Sequence, residues 1–127
     1  MYTINEVAKI YEIPSSTLRF YEKEGILPTI NRNSSGRRIY KEEELERLQL
    51  VIALKDTGMP LDTIKEYFDM ANKGEETIDQ RRTLLLEHKQ SVEKQLALTI
   101  KHLEKINRKI TIYDLKELKK NPNDLMV

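Results

Sequence analysis

The side chains best suited to chemistry lie in two short segments near the N-terminus of the sequence. The first is Thr17–Glu22, with a hydroxyl, an arginine and two aromatic rings, and the second is Gly36–Tyr40, with two adjacent arginines. From Gly25 to Lys41 there are four basic residues and no acidic one. A guanidinium group binds phosphate through two parallel hydrogen bonds or contacts the edge of a guanine base. The two segments therefore indicate chemistry directed at duplex DNA.

Eight residues are the candidate DNA contacts: Ser15, Ser16, Thr17, Arg19, Tyr21, Arg37, Arg38 and Tyr40. Hydroxyls at a helix start favour phosphate, although simple capping is the alternative and is compatible with binding. Arg19 is the first choice for a base edge or an adjacent phosphate, with a solvent-facing pair to Glu22 as the alternative. The tyrosines have a second interpretation as half-buried packing residues with wet hydroxyls. For the two adjacent arginines the alternative is a solvated basic loop.

Other kinds of chemistry have little support in this sequence. Cysteine is absent, which removes disulfides, thiolate metal sites and cysteine nucleophiles. His88 and His102 fall at the same heptad position of the long helix discussed below, and without a carboxylate cluster they are interpreted as flanking residues rather than a metal site or a pH switch. No glycine-rich phosphate loop and no set of nucleophile, base and orienting group is apparent. We therefore expect no enzyme activity, no metal and no cofactor.

The elements that position these residues begin with a helix-turn-helix. Thr3 and Glu6 have the spacing of a capping box, which opens a first helix. Pro14 limits that helix, and a second one is predicted over about residues 15–24. Two short helices joined by three or four residues form a helix-turn-helix. Ile30–Tyr40 then predicts two short strands around a polar, glycine-containing turn, which together would form a wing.

Two supporting helices and one long helix complete the pattern. The supporting helices are predicted over about residues 41–57 and 61–72, with Gly58 and Gly74 at their C-terminal ends. Thr77–Gln80 has the pattern of a second capping box, which would open the long helix. The chain therefore divides into residues 1–74 as a winged helix-turn-helix DNA-binding domain, residues 75–120 as a coiled-coil dimerisation helix and residues 121–127 as a flexible tail.

The long helix carries the repeat of a coiled-coil seam. Apolar residues from Leu85 to Tyr113 follow alternating steps of four and three, with Lys89 as a polar member that fits a role in register. A helix from Ile78 to Tyr113 would be ~54 Å long at ~1.5 Å per residue. Because so small an N-terminal domain cannot cover such a stripe, a second copy of the helix is the natural partner. The expected dimerisation residues are Leu85, Val92, Leu96, Thr99, Leu103, Ile106 and Ile110.

These features, in this order, resemble the MerR family of bacterial transcription regulators. The resemblance covers residues 3 to about 113, and its motifs are Thr17–Glu22, Gly25–Pro28, Gly36–Tyr40, Glu43–Leu45 and Gly58–Ile64. It implies a mostly α-helical homodimer, with a winged helix-turn-helix at each end of an antiparallel coiled coil. It also implies that the dimer binds promoter DNA, bends and untwists it, and lets RNA polymerase engage when an effector switches the distortion.

Three departures limit what the resemblance carries over. Phe20 stands where the family usually has tyrosine, and Lys41 stands where a serine or aspartate cap is common. The metal-sensing and thiol-sensing branches use cysteines that this sequence lacks, and the length leaves no room for the ligand-binding domain of the drug-sensing branch. An effector is therefore expected to be sensed without cysteine, through an unknown small molecule if there is one.

Two other functions remain open at this point. One is an effector-independent architectural or excisionase-like protein that bends DNA with the same winged domain. The other is a coiled-coil interaction module whose basic wing is incidental. In all cases a cytoplasmic protein without a membrane partner is expected, because no apolar run is long enough to cross a bilayer and the N-terminus predicts a capped helix rather than a signal peptide.

Overall fold

The computed structural model describes residues 1–120 of the 127-residue chain. The tail predicted over residues 121–127 lies outside the described residues. In chain order the elements are β1 (Tyr2–Thr3), α1 (Ile4–Ile10), α2 (Ser15–Lys23), β2 (Ile39–Tyr40), α3 (Glu42–Asp56), α4 (Leu61–Lys73), a 3-10 turn (Glu75–Thr77) and α5 (Ile78–Lys120). They divide into two compact units, the first ending at Leu86 and the second beginning at Glu87.

Helix α1 begins with the capping box that the sequence predicts. The Thr3 backbone N–H donates to Glu6 Oε1 at 3.1 Å, and the Glu6 N–H donates to Thr3 Oγ1 at 3.2 Å. These reciprocal bonds satisfy two of the amide groups that a helix start leaves unpaired. The bond from the Thr3 N–H also lowers the pKa of the Glu6 carboxyl, because it favours the charged form of that group.

The strand pairing differs from the predicted hairpin. Strand β2 pairs antiparallel with β1, so that Tyr40 lies opposite Tyr2 and Ile39 opposite Thr3. The two arms of the wing pair antiparallel at a bridge between Arg32 and Arg38, where the Asn33 N–H donates to the Arg37 carbonyl oxygen and the Ile39 N–H donates to the Asn31 carbonyl oxygen, both at 2.8 Å. The predicted pairing around the turn is therefore confirmed as a short bridge, whereas the ladder between β2 and the N-terminal strand was not predicted.

One hydrophobic core holds the first unit together. Leu48 and Val51 of α3 are fully buried in it, as are Leu18 of α2 and Ile64 of α4. The remaining buried members are Val7, Tyr21, Ile26, Leu27, Ile30, Tyr40, Leu45, Leu54, Met59, Tyr67 and Phe68. This core draws side chains from all four helices α1 to α4, and therefore fixes the helix-turn-helix in place.

The junction between α4 and α5 departs from the predicted capping box. Gly74 closes α4 with a φ of 98°, as glycine at that position predicts. The Thr77 hydroxyl donates to the carbonyl oxygens of Met70 at 2.6 Å and Gly74 at 2.9 Å, rather than capping the amides of α5. The reason is that the 3-10 turn leads directly into α5, so that Thr77 already lies inside helical backbone and is not an N-cap residue.

Helix α5 is a single 43-residue helix with no buried residue. Four residues of its predicted seam, Leu96, Leu103, Ile106 and Ile110, are each 50–60% exposed. Such a row of apolar side chains is stable in water when a partner surface covers it. The first predicted seam residue, Leu85, is instead partly buried against the core of the first unit, and Val92 is half-exposed. In the described part of the chain, no helix is both long enough and apolar enough to span a membrane.

Candidate nucleic-acid interface

The outer face of α2 presents polar side chains because its inner face is anchored in the core. Leu18 and Tyr21 are 0% and 3% exposed, and they bury one side of the helix. Arg19 lies on the opposite side and is exposed. Within residues 1–120 its side chain forms no hydrogen bond or ion pair, so the alternative of a pair with Glu22 is wrong. Its guanidinium is therefore available to a phosphate or a base.

The first turn of α2 combines three hydroxyl groups with a helix N-terminus. Ser16 is exposed, and Ser15 and Thr17 are half-exposed. Pro14 is the N-cap residue and its side chain makes no capping hydrogen bond. Amide groups at this end carry the positive end of the helix dipole, which favours a phosphate oxygen. The three hydroxyls thus lie beside the end of α2 that favours an anionic group.

Glu22 joins α2 to the wing, and the sequence analysis missed this role. Its Oε2 accepts from Arg38 Nε at 2.7 Å, and its Oε1 accepts from the backbone N–H of Ile30 at 2.8 Å. The carboxylate and guanidinium side chains are only 13% and 21% exposed, so solvent screens this pair less than a surface pair. The only sequence signal was the presence of two acids, Glu22 and Glu24, just before a segment with four basic residues and no acidic one.

The wing tip is an ordered turn. Asn33 Oδ1 accepts from the backbone N–H groups of Ser35 and Arg37, both at 3.0 Å. Arg32 Nη1 donates to the carbonyl oxygen of Gly36 at 2.9 Å. Gly36 has a φ of 80°, a conformation that L side chains rarely adopt. Arg37 is exposed at this tip, whereas Arg38 is half-buried against Glu22.

The two candidate tyrosines lie deeper than expected. Tyr40 is fully buried, and its Oη has no hydrogen-bond partner in the described part of the molecule. The expectation of a half-buried ring with a wet hydroxyl is wrong for Tyr40, because pairing with β1 draws it into the core. Burial raises the pKa of Tyr40 to about 12, Glu22 adds to the rise, and Arg38 and Arg19 oppose it. The structure therefore brings six of the eight candidates to the surface and places Tyr21 and Tyr40 beneath them.

Replacing Tyr40 with phenylalanine is expected to leave the fold intact and stabilise it by about 1 kcal/mol, because a buried hydroxyl without a partner is removed. The pH dependence gives a second signature. The folded-state pKa lies above the ordinary value of 10.0, so the unfolded chain ionises first and the wild type loses stability as the pH rises from 10 towards 12. Chemical denaturation at pH 7 and at pH 11 measures both effects. A Tyr40→Phe variant that is less stable at pH 7 would show that the hydroxyl has a partner.

Comparison with known proteins places this geometry in context. The family model described as "MerR HTH family regulatory protein" matches residues 2–71, and the model "MerR, DNA binding" matches residues 45–99. An uncharacterized HTH-type transcriptional regulator of Haemophilus influenzae is 35% identical over 112 residues, which cover 88% of this chain and 83% of that protein. The regulator ZntR of Escherichia coli is 32% identical over 98 residues, covering 76% of this chain and 70% of ZntR.

Solved structures show the same architecture. The crystal structure of HiNmlR, described as a MerR family regulator lacking the sensor domain and bound to promoter DNA, superposes with a TM-score of 0.80 at 33% identity, covering 95% of this chain and 94% of that one. A transcriptional regulator from Bacillus thuringiensis superposes with a TM-score of 0.75 at 39% identity, covering 87% of this chain and 96% of that one.

Proposed function

Because this chain belongs to the MerR family of transcription regulators, we propose that it binds promoter DNA as a homodimer and distorts it. One observation supports this proposal above the others. The exposed Arg19 and the three hydroxyls of α2 share one unit with a basic wing, and the Glu22–Arg38 pair ties the wing to that helix. A recognition helix and a wing held together in this way form a surface that follows the backbone of a duplex.

The proposed contacts fall into two kinds. Arg19 is assigned to a base edge or an adjacent phosphate in the major groove, and the hydroxyls of Ser15, Ser16 and Thr17 to a phosphate at the helix start. Arg37 and Arg38 are assigned to phosphate or minor-groove contact from the wing. Tyr21 and Tyr40 are assigned a supporting role, because they pack directly beneath these groups.

The proposed dimer rests on the exposed seam of α5. Leu96, Leu103, Ile106 and Ile110 recur at coiled-coil spacing and are each at least half exposed in the single chain. A second copy of the helix, packed antiparallel as the family implies, would cover them and set two winged units at a fixed separation. We keep residues 1–74 as the DNA-binding domain and residues 75–120 as the dimerisation helix in this proposal.

The proposed regulation follows the family. Distortion of the promoter would let RNA polymerase engage, and an effector sensed without cysteine would switch it, since the chain has no cysteine. The second candidate is an effector-independent architectural or excisionase-like DNA-bending protein, which the same winged unit would support. The family is one of DNA-binding regulators rather than enzymes, and we assign the protein to the cytoplasm, where promoter DNA is found.

Footprinting on the intergenic DNA upstream of the gene tests the proposal directly. A dimer is expected to protect a near-palindromic site and to render its centre sensitive to nucleases that detect bent DNA. The same experiment with added metabolites separates the two candidates, because only the switched regulator changes its pattern or its promoter output with a ligand. Absence of protection at any concentration that keeps the protein dimeric would contradict both.

The salt dependence of binding is expected to be steep. If each dimer makes ~6–10 phosphate contacts, the slope of log K against log salt is about −0.9 per contact, or roughly −5 to −9. Fluorescence anisotropy with a labelled duplex between low and moderate salt measures this slope. A slope near zero would contradict an interface built on Arg19, Arg37 and Arg38.

A further inference from the structure

The C-terminal end of the recognition helix is held by side chains from two other helices. Arg47 of α3 donates from Nε to the Ile26 carbonyl oxygen at 2.8 Å and from Nη2 to the Gly25 carbonyl oxygen at 3.1 Å. Asn72 of α4 donates from Nδ2 to the same Gly25 oxygen at 3.2 Å, and its Oδ1 accepts from Arg47 Nη2 at 3.0 Å. These four hydrogen bonds join Gly25 and Ile26, just after α2, to the interior of α3 and the end of α4, and we call this network the α2 clamp.

Burying the charged side chain of Arg47 costs desolvation free energy, which a residue that only filled space would not require. Its guanidinium stacks over the Phe68 ring at 4.6 Å from the ring centroid. It has no carboxylate partner within the described residues, and burial lowers its pKa. Within the described residues its charge is balanced by two backbone carbonyls just beyond α2, the Asn72 side-chain oxygen and an aromatic face. An apolar side chain would fill this place without the desolvation penalty, so the arginine is best explained by the geometry that it imposes.

The geometry matters because α2 is short and carries the proposed DNA-facing groups in its first five residues. Arg19 lies four residues before Lys23, the last residue of α2, or about 6 Å along the helix at about 1.5 Å per residue. A tilt of about 10° at the clamped end would move Arg19 by about 1 Å, which is enough to break a hydrogen bond of ordinary length. The clamp therefore lies at the end of α2 about which such a tilt would occur.

We propose that Arg47 and Asn72 are positioning residues that set the angle at which α2 meets the major groove, and thereby the half-site separation that the dimer prefers. The inference rests on the proposed function, because it concerns how the same helix meets DNA. Neither residue is expected to contact DNA. Their effect reaches the groove through the carbonyl oxygens of Gly25 and Ile26.

The clamp also connects α2 to the start of the dimerisation helix. Asn72 lies two residues before Gly74, whose carbonyl oxygen accepts from Arg81 Nη2 at 3.0 Å. Arg81 belongs to the first turns of α5 and also donates from Nε to Thr77 Oγ1 at 3.0 Å. Polar contacts therefore run from the first turns of α5 through the end of α4 to the end of α2, all within the first compact unit. The angle of α2 is thus tied to α5, the helix that would set the separation of the two DNA-binding domains in the proposed dimer.

Two variants test the clamp with different risks to folding. Arg47→Lys keeps the positive charge but loses the planar fork that reaches two carbonyls at once. Asn72→Ala removes an exposed side chain and is expected to fold. The control for a general loss of stability is Leu54→Val, which shrinks a core side chain about two turns along α3 from Arg47 and removes no atom of the clamp. Thermal unfolding of each variant is measured first, so that binding is compared at a temperature well below every unfolding transition.

The measurement is the affinity for three duplexes. One is selected from a random-sequence pool by the wild-type protein, and the other two differ from it by one base pair more or less between the half-sites. The wild type is expected to prefer its selected spacing, and each clamp variant to reduce that preference by about three- to tenfold, the effect of losing one or two hydrogen bonds of orientation. The double variant should be no worse than Arg47→Lys alone, because both residues act through the same carbonyl.

The possible results distinguish a failure of the clamp hypothesis from a failure of the proposed function. If the wild type selects a duplex and prefers its spacing, but Arg47→Lys and Asn72→Ala weaken all three duplexes equally, as Leu54→Val is expected to do, the residues are merely structural and the inference is overturned. A wild type that binds without any spacing preference also overturns it. If the wild type selects no duplex at all, the proposed function itself fails.

Discussion

Replacing Arg19 with alanine is expected to weaken binding to a selected operator by about 1–3 kcal/mol per half-site, a factor of about 5 to 150 for each half-site, while the dimer persists. The physical reason is that Arg19 is exposed and unpaired within residues 1–120, whereas its neighbour Leu18 carries the packing. Truncation at Cβ therefore removes the guanidinium and leaves the core untouched. Anisotropy titration at fixed salt measures the affinity, and sedimentation velocity measures the dimer.

The sequence dependence of the loss identifies what Arg19 contacts. If it grips a base edge, Arg19→Ala relaxes discrimination at one base pair of each half-site. If it holds a phosphate, binding weakens by the same factor on every sequence and the salt slope falls by about one per half-site. A set of operators with single substitutions distinguishes these results in one series of titrations.

The matched control is Arg108→Ala. Arg108 is also exposed but belongs to the second compact unit, so this change removes the same charge away from the proposed interface. A surface substitution of this kind is expected to alter binding by about twofold or less. If Arg19→Ala were equally harmless, the coiled-coil interaction module with an incidental wing would become the better account of this protein.

Local signals in the sequence predicted the parts of the fold that depend on neighbouring residues. Thr3 and Glu6 are three residues apart, and their capping box depends on little else. Gly74 ends α4 because only a residue that tolerates positive φ suits that turn. Thr77 has the same local pattern as Thr3, yet the 3-10 turn that precedes it changes its backbone and directs its hydroxyl to α4 instead.

Contacts between distant residues account for what the sequence did not reveal. The pairing of β1 with β2 joins residues on either side of the whole helix-turn-helix, and no periodicity in two-residue strands marks it. The burial of Tyr40 follows from that pairing. Glu22 and Arg38 are sixteen positions apart, and only the folded wing brings them to 2.7 Å. The sequence therefore predicted which residue types form the candidate interface, but not their hydrogen-bond partners or how deeply each side chain is buried.

The seam of α5 could be predicted from the sequence because a heptad repeat is a local pattern. The contacts that it predicts are made with a second chain. Its spacing predicts which side chains a partner covers, and four of these, Leu96, Leu103, Ile106 and Ile110, are each at least half exposed in the single chain. A substitution that changes only the seam tests whether two copies of α5 pair through it.

Replacing Leu103 with glutamate is expected to separate the dimer. Leu103 lies in the middle of the seam and is 51% exposed in the single chain, so the change leaves the fold of each chain intact. Burying a leucine contributes about 1.5–3 kcal/mol, and the symmetric interface contains it twice, so the dissociation constant should rise about 10²- to 10⁴-fold. The cost of burying the new carboxylate adds to this loss. Sedimentation equilibrium measures the constant directly.

Leu98 provides the control that makes this result specific to the seam. It is 54% exposed, nearly the same as Leu103, but falls outside the steps of four and three that define the stripe. Leu98→Glu changes charge and hydrophobicity identically and is expected to leave the dimer intact. Because a monomer presents one recognition helix to a two-half-site operator, Leu103→Glu should also lose the benefit of simultaneous engagement, while Leu98→Glu binds as the wild type does. If both variants stay dimeric, or both dissociate, the surface that pairs two copies of this chain is not the predicted seam.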